Sequence, residues 1–212
     1  MPPRPVLPKP PPDLTGPPLP REFYAREVLD VARACIGKIL VHRAPEGLLA
    51  GRIVESEAYR GPEDLAAHSS GGRRTARTEA MFGPAGHVYI YLLYGLHWAL
   101  NLVAAEEGQP HAVLVRALEP LAGMDLMSQR RRVPPERVEL TNGPGKVCQA
   151  LGLDGRVYGA DLCAGPLYLI DGPAGRIGRS ARINVDYAGA WAERPWRFYE
   201  RGNRYVSVRP RD

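Results

Sequence analysis

The sequence is poor in lysine and cysteine and has no long apolar run, and each shortage removes a class of function. Only Lys9, Lys38 and Lys146 are lysines among 28 basic residues in a chain of 212. Few candidates therefore exist for a mechanism built on a Schiff-base amine. Cys35, Cys148 and Cys163 are dispersed, with no Cys-x-x-Cys pair. An odd, scattered set argues against a disulfide framework and fits small buried side chains in a reducing compartment. His42, His68, His87, His97 and His111 form neither an HExxH nor an HxxxH pattern, so spacing supports no metal site. Apolar runs such as Val88–Leu93 are far too short to cross a bilayer. The N-terminus has no apolar core of signal-peptide length, so a cytoplasmic protein without a membrane partner is expected.

What is present is ordinary in bulk: 44% hydrophobic and 24% charged residues, enough for one domain with a sizeable core. The formal net charge of +5 suits a polyanionic partner such as nucleic acid. The Arg-for-Lys skew fits a GC-rich coding bias equally well.

Residues 1–20 are dense in proline and predict a mobile extended tail, leaving one domain over 21–212. Periodicity and punctuation predict helices over 22–36, 121–131 and from Asn142 to about Leu151, the last capped by Asn142. A short helical or loop stretch fits 62–68, and 71–77 is a glycine-rich basic loop suited to a phosphate backbone. Strand-like segments occupy 38–42, 48–59, 87–94, 97–103, 112–118, 167–170, 181–185, 197–200 and 205–208. Gly95 separates two of them as a hairpin. No regular βαβ alternation or repeat is visible. The fold class expected is α+β: a single domain with a curved, mostly antiparallel sheet and surrounding helices.

Three segments could carry chemistry. In a strand, Glu55, Glu57 and Tyr59 share one face and Val54, Ser56 and Ala58 the other. Paired carboxylates beside a ring suit general-base work, and a solvent-facing strand side is the plainer alternative. His87, Tyr89 and Tyr91 share another strand face, with Tyr94 near a turn. Such rings either pack in the core or hold a flat heterocycle. Arg116 interrupts the apolar run Leu114-Val115-Arg116-Ala117-Leu118, so it is either a structural ion pair or functional.

Together the stretches GRIVESEAYRGPEDLAAHSSGGR, MFGPAGHVYIYLLYGLHWALN, AVLVRALEPLAGM, LTNGPGKVCQALG and PWRFYERGNRYVSV resemble the alkyladenine (3-methyladenine) DNA glycosylase family. They occur in the family's order over most of residues 51–208. The resemblance implies a base excision repair enzyme that flips alkylated or deaminated purines from duplex DNA. It would hydrolyse the N-glycosidic bond and leave an abasic site. By the same resemblance Glu57 is the general base for the attacking water, and Arg116 helps hold that water. Tyr59, His68 and Tyr91 sandwich the flipped base, Asn101 sits against the purine edge, and Leu114 adds pocket or groove contact. Tyr94 is the wedge inserted into the gap left in the duplex. Lys146 and Asn142, at the start of their helix, are expected to contact phosphate. No cofactor or metal is expected, the partner is damaged double-stranded DNA, and the protein is expected to be a monomer. Ala76 and Thr78 stand where the family pattern has Pro and Asn, which bears on substrate preference.

Overall fold

A computed structural model describes residues 13–209. The first twelve residues of the Pro-rich segment lie outside the described residues. Residues 13–20 are extended, as proline requires, but they are packed: the Leu19 N–H donates to the Leu169 carbonyl, and Leu14 joins a cluster with Ile39, Val41 and Ile170. Here apolar side chains between the prolines cover a sheet edge, while Asp13, Thr15, Pro17, Pro18 and Pro20 stay exposed.

The chain then forms α1 (Arg21–Tyr24), α2 (Val28–Cys35), β1 (Ile39–Ala44), β2 (Gly47–Arg60), β3 (Val88–Leu93), β4 (His97–Ala104) and β5 (His111–Ala122). It continues through α3 (Met124–Arg131), α4 (Pro144–Leu151), β6 (Leu167–Ile170), β7 (Ile177–Ser180) and β8 (Arg197–Glu200). The strands make one eight-stranded sheet in the order β3-β4-β5-β2-β1-β6, with β8 paired to both β2 and β7. All pairings are antiparallel. This is the single-domain α+β class.

The expected helix over 22–36 is two helices. Glu27 adopts extended ψ, and its side chain accepts from the Leu29 N–H, which caps α2 and breaks the run. Val28, Val31, Ala32 and Cys35 then fall on one buried stripe and pack on β2 and β5. The helix expected from 121 begins only at Met124. Ala122 is still paired with Ala50, and Gly123 turns the chain at φ 74°, where a Cβ would meet the Leu48 carbonyl oxygen at 2.6 Å. Residues 62–68 are turns, not helix. Residues 181–185 and 205–208 form no strand, and β7 lies just upstream of the former.

β2 is the organising strand. Its first half pairs with β1, its second half with β8, and β5 runs along its other side. Register shifts between Ile53, Glu55 and Ser56 mark a bulge. As a result Ile53, rather than Val54, joins Ala58 in the main core, and Val54 packs with Ala117 and Tyr205. The helix-bearing face of the sheet carries Ala58, Leu100, Leu102, Val113 and Val115 together with α2 and α4. By alternation Tyr59, Asn101, Leu114 and Arg116 point to the opposite face.

Candidate active site

On that opposite face the structure has a cavity of about 500 Å³. Tyr59, His68, Tyr91, Tyr94, Asn101, Leu114 and Arg116 all line it, so seven of the expected site residues converge from β2, the 62–68 turn, the β3–β4 hairpin and β5. Asn101 and Leu114 are register partners across β4 and β5, and Asn101 also pairs with Tyr89 on β3.

Glu57 is fully buried and lies one hydrogen bond behind the cavity wall. Its Oε2 accepts from the Tyr59 hydroxyl at 2.8 Å and from Arg116 Nη1 at 3.1 Å, and its Oε1 accepts from the Ile183 N–H at 2.8 Å. All three donors belong to lining residues. A carboxylate has about four lone-pair positions, so one stays open for a further donor.

Glu55, one register step away, is different. Arg197 Nε donates to its Oε1 at 2.6 Å, and the Ser207 N–H donates to its Oε2 at 2.7 Å. Ser207 Oγ adds a bond at 3.0 Å, and Arg116 Nε stands 3.5 Å away. Glu55 is thus spent on a buried ion pair, and Arg116 is held between two carboxylates. Both sequence readings of Arg116 meet here: it is an ion pair and it faces the cavity. Burial opposes its charge, but the two glutamates more than offset this and hold its pKa above the ordinary arginine value.

The aromatic wall is close-packed. His68 lies edge-on to Tyr91 with ring centroids 4.4 Å apart, and its Nδ1 shares a 2.8 Å hydrogen bond with the Tyr89 hydroxyl. Burial, with Arg77 adding to it, pushes the imidazole down to about 4, so His68 is neutral at pH 7. Burial raises the Tyr91 phenol to about 12 and the Tyr59 phenol well above its ordinary value.

Tyr94 is the opposite case. It sits at the hairpin tip with φ 49°, and its side chain is 84% exposed. A large ring held outward in the left-handed region has no packing reason to be there.

Lys146 and Asn142 do not line the cavity, although Pro144 between them does. The expected cap is corrected: Gly143 holds the N-cap position, and Asn142 Oδ1 instead accepts from Lys146 Nζ at 2.7 Å. Gly145 allows α4 to approach β4, because a Cβ there would stand 2.8 Å from that of His97.

Sequence reasoning missed Asp64 and Arg182, a fully buried bidentate pair at 2.5 and 2.9 Å. Arg182 also donates to the Ala58 and Trp191 carbonyls, and its guanidinium lies 4.8 Å from the centre of the Tyr59 ring. The pair clamps the turn leading to His68 against the segment that presents Ile183. It was missed because its members lie 118 residues apart with no local pattern. Arg77 and Tyr187 also line the cavity; Tyr187 is 72% exposed, a sign only a structure gives. Among the described residues no helix is long and apolar enough to cross a membrane.

The chain matches a family model described as methylpurine-DNA glycosylase over residues 22–204. Its relatives include proteins provisionally named 3-methyladenine DNA glycosylases. One from Methanocella arvoryzae is 50% identical, with 91% of this chain and 97% of the relative covered. One from Desulfitobacterium hafniense is 46% identical, covering 89% and 98%. One from Bacillus subtilis is 48% identical, covering 90% and 96%.

Proposed function

The chain belongs to the methylpurine-DNA glycosylase family, and from that premise we propose that it excises alkylated or deaminated purines from duplex DNA by a Glu57-directed attack of water. The observation that carries this reading is Glu57 itself. It is a buried carboxylate with an acceptor position to spare, held directly behind an aromatic cavity by three residues that line it.

A glycosidic bond inside a duplex is shielded by stacking, so the nucleotide must leave the helix first, at a cost of a few kcal/mol. Tyr94, exposed beside the cavity, would fill the gap and hold the stack open. The extruded base would lie against Tyr59, His68 and Tyr91, with Asn101 at its edge. Cleavage develops positive charge on the sugar, as in other glycoside hydrolyses. The Glu57 carboxylate would stabilise that charge and take the proton from water, with Arg116 orienting the water through its remaining N–H groups. Among the described residues no lysine lines the cavity, and Lys146 is engaged with Asn142. None of the described lining residues offers an amine for attack with strand nicking, and the product expected is an intact strand bearing an abasic site. Lys146 and Asn142, beside Pro144, would meet phosphate at the cavity's edge. We read the protein as a monomer acting on DNA without a cofactor.

The test is a duplex carrying one hypoxanthine, incubated with the protein and then divided. Cleavage that appears only after alkali supports hydrolysis to an abasic site. Cleavage without alkali contradicts the water mechanism, and tight lesion binding without base release points to a binding protein.

A further inference from the structure

Both tyrosines proposed to hold the base carry a guanidinium on their rings: Arg182 lies 4.8 Å from the Tyr59 centroid and Arg77 5.0 Å from the Tyr91 centroid. The two arginines are not equivalent. Arg182 is neutralised by Asp64, just as Arg116 and Arg197 are neutralised by Glu57 and Glu55. Among the described residues Arg77 has no carboxylate partner within salt-bridge distance, yet it lines the cavity. The paired groups cancel, so Arg77 supplies the net charge that a bound base meets.

We propose that Arg77 is a specificity-determining residue whose unpaired charge weights the cavity toward neutral purine lesions and against cationic ones. This rests on the glycosylase reading above. The physical reason is direct. A tyrosine face attracts one cation, and a ring already facing a guanidinium has less attraction left for a second. A cationic base, such as 7-methylguanine, also meets Coulomb repulsion from Arg77, whereas neutral hypoxanthine does not. At about 7 Å and an effective dielectric between about 35 and 80, two unit charges repel by roughly 0.6–1.4 kcal/mol, equivalent to about 3- to 10-fold. Arg77 already acts on the wall in this way: its charge favours the neutral form of His68 and the ionised forms of Tyr89 and Tyr91.

The experiment compares release of hypoxanthine and of 7-methylguanine from otherwise identical duplexes by the wild type, Arg77→Gln and Arg77→Lys. The quantity read is the ratio of the two kcat/KM values. Arg77→Gln should raise the 7-methylguanine to hypoxanthine ratio roughly 3- to 10-fold, and Arg77→Lys should leave it near the wild-type value. If both rates fall together in Arg77→Gln, with an unchanged ratio and a shallower salt dependence, Arg77 is a phosphate contact and the proposal is overturned. If the wild type releases neither base, the glycosylase reading itself fails, and this inference fails with it.

Discussion

At the scale of single residues, Glu55 and Glu57 look alike in sequence and are separated by their neighbours in space. Glu55 is saturated by Arg197 and Ser207, and Glu57 keeps a free acceptor position beside the cavity. Glu55→Gln should therefore act mainly on stability, lowering it by about 3–5 kcal/mol by leaving Arg197 buried without its charge partner. Denaturant midpoints check this, and a Glu55→Gln protein of normal stability without base release would reverse the assignment. His68 makes a pH prediction. The unfolded chain takes up the proton near the ordinary 6.5 and the folded chain only near 4. Between those values the unfolded state binds more protons, so stability rises with pH. The contribution is complete above 6.5 and is lost as pH falls toward 4. Burial pushes His42 and His111 in the same direction. Melting temperatures across this window should slope less for His68→Asn than for the wild type, and an identical slope would show that His68 is not the buried neutral group described.

At the scale of elements, most strands were legible because alternation is strong where one sheet face is buried. The β3–β4 hairpin and the long β2 lie within a residue or two of expectation. Boundaries failed where backbone chemistry outranked periodicity. Glu27 divides a continuous helical pattern by capping α2, and Gly123 delays α3 by a left-handed turn against Leu48. Gly123→Ala should cost about 1–3 kcal/mol, since both the positive φ and the 2.6 Å approach resist a Cβ. Thermal unfolding measures it, and a neutral result would mean that the turn relaxes. The hairpin tip makes the converse prediction. Tyr94 is 84% exposed, so Tyr94→Ala should leave the unfolding free energy within about 0.5 kcal/mol of the wild type while weakening lesion binding and base release. Equal activity would remove its wedge role.

At the scale of the whole molecule, the site is assembled by contacts that no local pattern announces. Arg116 could be singled out because a charge interrupts an apolar strand, whereas Tyr59 and Tyr91, ordinary strand residues, were singled out by the family resemblance. Asp64 and Arg182 could not, since a buried pair spanning 118 residues is visible only after folding. Ile183 was equally hidden: its part is played by a backbone N–H, which every non-proline residue has. The net charge of +5 is consistent with a DNA partner, but the charge that differentiates the cavity is the one guanidinium of Arg77. The proposed role of Glu57 as the group that directs water is tested most directly by single-turnover kinetics of Glu57→Gln on a hypoxanthine duplex, with lesion binding measured in parallel. The expected result is loss of base release by at least about 100-fold, the scale of general-base catalysis, with lesion affinity retained. Base release at the wild-type rate by the folded Glu57→Gln protein would contradict the account.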